Sequence, residues 1–178
     1  GWRPPLLHTS NSAASLYFPE AWFDLVRLGI ALYGLDPSHD APTPREFQKA
    51  LSWKTRLVSV KTLPAGHGVS YGHRYHTSAD ERIGVIAVGY ADGLRRKLDV
   101  NHCLVRGTRV PVVGTVCMDQ CMVQLDGVPD ARVGDEVVLI GRQGSGRITA
   151  EDVADAWGTI NYEVTCGTAA RVPRIYIG

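Results

Sequence analysis

The sequence predicts a mainly β protein, a small barrel or sandwich, preceded by a short α/β segment. Three observations carry this. Short apolar runs at 57–63, 83–89, 103–105, 109–113, 121–125 and 137–140 follow one another with turn residues between them, the spacing of a small sandwich or barrel. Before them, residues 1–36 hold two corners that pass from apolar run through glycine or serine into a helical turn, and two such units are too few to close a parallel sheet. Between the two patterns, Pro37, Pro42 and Pro44 stand among Ser, Thr, Asp and His, a linker composition. The expected organisation is therefore residues 1–36 as the end of an α/β domain, 37–44 as linker and 45–178 as the β domain.

In chain order, 8–16 is expected to end a strand and enter a short helix at Asn11 or Ser12. The run 23–28 is apolar except for Arg27, and Gly29-Ile30-Ala31-Leu32-Tyr33-Gly34 turns away from it. After the linker, the alternating run 57–63 leads into Gly66-His67-Gly68-Val69-Ser70-Tyr71-Gly72, where a single phenol sits among small and β-branched residues. Composition alone makes this a hairpin corner, although glycines also suit close approach to a ligand. Hairpin turns are expected at 106–108 and 133–136. Thr149 opens a helix with Glu151 and Asp152 in its first turn, and Gly158 closes it. A second short helix follows from Thr159, and Pro173 makes 171–177 an edge strand.

Composition excludes several classes of function. Of 178 residues 44% are apolar and 21% charged, so a real core can form, and 19 basic against 18 acidic residues leave a net charge of +1. That balance offers no field for a polyanion, so nucleic acid is not expected as a partner. No run of about 18 apolar residues occurs, and Gly1-Trp2-Arg3-Pro4-Pro5 lacks the pattern of a signal peptide, which leads to the expectation of a soluble, cytoplasmic protein. Cys103, Cys117, Cys121 and Cys166 are expected as free thiols, and no metal site is assigned.

The candidate chemistry is scattered. The corners Asn11-Ser12 and Gly29-Ile30 place backbone N–H groups where a phosphate could bind, although each alone is equally ordinary turn chemistry. Arg27, inside an apolar run, must meet either a structural ion-pair partner or a ligand. Tyr71, Tyr90 and Tyr162 stand beside Gly, Ala or Asn rather than in an apolar stripe, which suggests a polar pocket lined by phenols. The segments 88–93 and 114–120 both end strands in small or polar residues.

Taken together, His8-Thr9-Ser10-Asn11-Ser12-Ala13, Asp24-Leu25-Val26-Arg27-Leu28-Gly29-Ile30, Val69-Ser70-Tyr71-Gly72, Gly89-Tyr90-Ala91-Asp92-Gly93, Cys117-Met118-Asp119-Gln120 and Gly158-Thr159-Ile160-Asn161-Tyr162-Glu163 resemble, in that order, the C-terminal part of the alanine racemases. The resemblance covers essentially the whole sequence. It implies the end of a (β/α)8 barrel that holds pyridoxal 5′-phosphate, then a β domain, in a head-to-tail homodimer whose active sites are shared between subunits. It implies racemisation of L- and D-alanine, supplying D-alanine for peptidoglycan.

Residue by residue, the resemblance makes Ser12 and the N–H groups of Gly29 and Ile30 phosphate ligands, with the Tyr162 hydroxyl as a further donor. Arg27 faces the pyridine nitrogen with His8 behind it. Because a guanidinium only donates and keeps its proton, that nitrogen stays unprotonated and the ring becomes a weaker electron sink, limiting transamination. Tyr71 resembles the base on one face of the substrate. A tyrosine ordinarily titrates near about 10, so such a base needs neighbours that favour the phenolate. Met118 and Asp119 resemble residues near the substrate carboxylate, and Tyr90 a tyrosine that narrows access. The family's cofactor-linked lysine belongs to the first barrel strand; Lys49, Lys54, Lys61 and Lys97 match no such position. The sequence is thus expected to be a C-terminal portion, inactive without its N-terminal barrel. A racemase of serine or a basic amino acid, or a non-catalytic dimerisation module, are the alternatives.

Overall fold

In the computed structural model, which describes residues 2–177, the chain divides into two compact units, Gly1–Leu51 and Ser52–Gly178. The first contains helix α1 (Ser12–Tyr17) and 3-10 turns at Pro19–Ala21 and Ile30–Tyr33. Asn11 caps α1 by accepting from the Ala14 N–H at 3.0 Å, which satisfies one of the orphan donors of a helix start. The strands expected at 8–10 and 23–28 do not form as such. Asp24 and Arg27 donate to Leu7 and Ser10 at 3.1 and 2.9 Å, two bonds in one sense, as a parallel pair would begin, without the return bonds that complete a ladder.

The second unit is a closed β barrel. Strands β1 (Trp53–Leu63), β2 (Gly68–Val69), β3 (Tyr75–His76), β4 (Glu81–Ile86), β5 (His102–Val105), β6 (Thr108–Val113), β7 (Cys121–Gln124), β8 (Glu136–Gln143) and β9 (Gly146–Ile148) form it with a small hairpin. The sheet runs β1-β4-β7-β6-β5-β8-β9, and β1 also pairs with β8, which closes the ring. One strand serves both neighbours by halves: Trp53 to Arg56 pair with β8, and Leu57 to Leu63 with β4, with a shift of register between Leu57 and Ser59. Such a bulge bends and twists a strand, as closure requires.

Gly84 shows which face is inside. A Cβ there would stand 2.7 Å from Leu57 and Leu125 side-chain carbons and 3.1 Å from Val123, so those residues fill the interior. By alternation Ile83 faces outward, where it packs with Val69 and Val113 under Tyr75, Leu63 and Met122. The β2/β3 hairpin is the cover over this second cluster. It shares no ladder with the barrel and is held by side chains.

Helices α2 (Ala150–Trp157) and α3 (Asn161–Gly167) complete the unit. Thr149 and Asp152 form a reciprocal capping box, with bonds of 3.1 and 2.7 Å, and Gly158 closes α2 at φ 72°, as the sequence indicates. Residues 171–177 form no strand. Arg174 wraps the carbonyls of Thr168, Ala169 and Val172 at 2.8 to 2.9 Å, so the segment curls on itself instead of extending along an edge. The strand expected to run to Gly89 stops at Ile86, because Val88 N–H turns back onto the Ile86 carbonyl at 3.0 Å.

One buried charge anchors the hairpin. Glu81 is 2% exposed, and its carboxylate accepts from Tyr75, from the Ser78 N–H at 2.7 Å and hydroxyl at 3.0 Å, and from Gln124 at 3.2 Å. Burial disfavours the charge, but the Tyr75, Ser78 and Gln124 donors outweigh it and hold the carboxyl below its usual range. A depressed folded value means stabilisation that is present above the ordinary glutamate value of about 4.3 and lost as the pH falls from there through the folded value. Glu81→Gln is therefore expected to lower stability in urea by roughly 1–3 kcal/mol at neutral pH and to flatten the loss on acidification. An unchanged acid limb would show that Glu81 does not act as an ionised anchor.

Candidate active site

In the first unit the residues singled out by sequence meet at one corner. Ser12 is buried, and its Oγ accepts from the N–H groups of Gly29 at 2.9 Å and Ala31 at 3.4 Å. That fixes the hydroxyl as acceptor toward the chain and leaves its own proton to donate. Among the described residues the Ile30 N–H, at the start of the 3-10 turn, also donates to no protein group. A Cβ at Gly29 would stand in ordinary contact with Ser12 Oγ, at 3.8 Å. Adjacent donors with no side chain between them suit a phosphate oxygen.

Arg27 is fixed beside them. Its Nη1 is 2.6 Å from His8 Nδ1 and 3.4 Å from the His8 carbonyl, and its Nη2 is 3.4 Å from the Thr9 carbonyl. Since a guanidinium has only donors, His8 Nδ1 is the acceptor and the imidazole proton sits on Nε2. These bonds use the terminal nitrogens, and among the described residues Arg27 Nε has no partner. The group is thus oriented by His8 and still able to donate.

In the second unit Tyr71 opens the 3-10 turn Tyr71–His73 between β2 and β3, 74% exposed. The hairpin corner of the plain sequence reading is there, and it is strained. Ser70 holds φ 63°, ψ −175°, a region otherwise reserved for glycine, at a cost of about 1–3 kcal/mol. Bonds to the 114–120 loop hold it: Ser70 Oγ donates to the Thr115 carbonyl at 2.6 Å and lies 3.5 Å from Cys117 Sγ, and Thr115 Oγ1 donates to the Tyr71 carbonyl at 2.8 Å. Gly114, at φ 69°, admits the approach, since a Cβ there would lie 2.9 Å from the Val69 carbonyl.

The same loop, 114–120, holds the next candidates on its other side. Tyr90 and Ala91 donate their N–H groups to the Cys117 and Met118 carbonyls, both at 3.0 Å. Any side chain at Gly89 would collide with those carbonyls. Asp92 caps the Tyr90 turn by accepting from the Gly89 N–H at 2.8 Å. Arg171 then bridges Asp92 and Asp119, at 2.7 Å to each, which ties the Tyr90 turn to the Met118-Asp119 corner. Tyr71, Tyr90, Met118 and Asp119 are in this way brought onto connected loops, all exposed. Tyr162 lies in the first turn of α3, which reaches the same region through Arg95 and Glu163 and through Ala169 N–H on the Asp92 carbonyl at 3.0 Å. Partial burial pushes its phenol up, so the hydroxyl keeps its proton.

Sequence reasoning missed Thr115, Arg171 and Glu81, none of which belongs to a recognisable catalytic motif. The available signals were faint: a threonine after a turn glycine, and a glutamate at the start of an apolar strand. Arg171, expected in an edge strand, is instead an ion-pair bridge.

The comparisons with known proteins agree in order and extent. Residues 50–176 match the family described as "Alanine racemase, C-terminal domain", and residues 1–37 match "Alanine racemase, N-terminal domain". Alanine racemase of Halothermothrix orenii is 50% identical over 173 residues, 97% of this chain and 46% of that protein. That of Geobacillus kaustophilus is 51% identical over 177 residues, 98% of this chain and 45% of that protein. The crystal structure of alanine racemase from Bacillus anthracis with bound L-Ala-P superposes with a TM-score of 0.95 at 45% identity, covering 100% of this chain and 46% of that one. The chain spans about half the length of the curated relatives it matches. With the first match extending over most of its length, the chain belongs to the alanine racemase family.

Proposed function

We propose that this protein supplies the phosphate corner and one proton-transfer face of an amino-acid racemase that interconverts L- and D-alanine. The observation that carries the reading is the Tyr71 phenol, exposed on a strained turn that hydrogen bonds to Thr115 hold in place. A side chain with no role beyond packing has no need of such a mount. When bound, pyridoxal phosphate supplies an electron sink for the α-carbon. The residues of the corner fit it: Ser12 Oγ–H and the Ile30 N–H would donate to its phosphate, beside the Gly29 N–H, and Tyr162 matches a further phosphate donor of the family. Arg27, oriented by His8, would donate to the ring nitrogen without yielding a proton.

Tyr71 accepts the α-proton from one face of the substrate and returns it there. Met118 offers a backbone N–H, and Asp119 local charge, to the substrate's carboxylate region, with Arg171 fixing the Asp119 carboxylate. Tyr90 narrows access so that small amino acids are preferred. These loops serve the site in a homodimer in which one subunit completes the site of the other.

Two outcomes test this. In the full-length, cofactor-loaded protein, Tyr71→Phe is expected to lower kcat by about 10²–10⁴-fold with cofactor binding retained, measured by turnover of both enantiomers. Full activity in both directions would remove Tyr71 from the mechanism. Ser12→Ala, which deletes one donor and the acceptor of Gly29 and Ala31, is expected to weaken pyridoxal phosphate binding about tenfold, measured by fluorescence titration of the apoprotein. Undiminished affinity would move the phosphate elsewhere.

A further inference from the structure

We infer that Thr115 is a positioning residue for Tyr71, acting with Ser70 as a latch that sets where the phenol points. The inference rests on the reading of Tyr71 as a proton-transfer group and adds a residue to it. Thr115 is 3% exposed, and the hydrogen bond it makes to the tyrosine is to the main chain. Its hydroxyl donates to the Tyr71 carbonyl at 2.8 Å, while its own carbonyl accepts from Ser70 Oγ at 2.6 Å. The two bonds run in opposite directions between the same two segments, so they fix both position and rotation of the peptide that carries Tyr71.

The backbone gives the latch something to resist. Ser70, at φ 63° and ψ −175°, and His73, at φ 43°, bracket the tyrosine with left-handed torsions that L residues avoid. Left to itself the turn would relax, and its relaxation would swing the phenol. No ladder to the barrel opposes that swing, since β2 and β3 pair only with each other. The foot of the hairpin is anchored at Tyr75 and Glu81, beyond the turn, while Thr115 is the hydrogen-bonding anchor beside the tyrosine itself. A catalytic group displaced by about 1 Å loses on the order of 10²-fold in rate, so a buried hydroxyl with no contact to substrate can govern the reaction.

The test uses Thr115→Val, which keeps shape and loses the donor, with Thr115→Ser as rescue, in the full-length, cofactor-loaded protein. Thr115→Val is expected to lower kcat roughly 10- to 100-fold with little change in KM, and Thr115→Ser to restore most of it. The loss should vanish in a Tyr71→Phe background, because the latch then has nothing to aim. With α-deuterated substrate, the isotope effect should rise in Thr115→Val for the enantiomer from which Tyr71 takes the proton and not for the other. An equal loss from Thr115→Val in both backgrounds, or wild-type kcat in Thr115→Val while Tyr71→Phe is impaired, would overturn the latch and leave Tyr71 standing. Should Thr115→Val not fold, Ser70→Ala removes the other half of the latch from a half-buried position, and the same two comparisons decide. Full activity in Tyr71→Phe itself would instead overturn the reading beneath it.

Discussion

Closure of the barrel through β1 is the constraint on which the second unit depends. A single strand pairs with β8 over its first half and with β4 over its second, and the bulge at Leu57 to Ser59 is where it turns from one neighbour to the other. Within the ring the ladders of β7 set the order β4-β7-β6. Because β4 and β6 are each antiparallel to β7, their C-terminal ends and the start of β7 share a rim. The loop after β4 carries Tyr90, and the β6–β7 loop carries Thr115, Met118 and Asp119. Two segments far apart in sequence become neighbours by strand order alone. Main-chain bonds from Tyr90 and Ala91 to Cys117 and Met118 then fix their spacing.

The β2/β3 hairpin obeys a different rule. Its position comes from side chains: the apolar seat of Val69 on Ile83 and Val113, the buried Glu81 carboxylate at its foot and the Ser70–Thr115 exchange at its tip. Paired backbone ladders make rigid walls, and a side-chain-mounted turn can hold a strained backbone that a ladder would iron out. The corner in the first unit is built in a like way. Ser12 Oγ gathers the Gly29 and Ala31 N–H groups, and His8 aims Arg27, so one side chain in each case sets the direction of its neighbours.

Much of this was legible in the sequence, for identifiable reasons. Apolar runs gave six of the barrel strands close to place, but β9 and the first half of β1, which pairs with β8, carry no such run and were not expected. Thr149 and Gly158 bounded α2, because capping chemistry is local. The motif order singled out Ser12 and Arg27, which the first unit brings to one corner. What failed was non-local. Residues 8–10 and 23–28 have strand-like composition, but a strand exists only with a completed ladder. Pro173 suggested an edge, yet Arg171 and Arg174 found carboxylates and carbonyls elsewhere, and those partners lie far off in sequence or in a local curl. Thr115 and Glu81 were invisible because one threonine or glutamate looks like another until burial and partners are known.

The 114–120 loop carries the Tyr71 turn and the Tyr90 turn as one unit. Native-state hydrogen exchange across low denaturant concentrations tests it most directly, following the amides of His73, which bonds to the Ser70 carbonyl, and Ala91, which bonds to Met118. The account predicts that both exchange through one opening with the same free energy and denaturant dependence, below that of Val123 in the barrel wall. Separate openings with different free energies for His73 and Ala91 would contradict it.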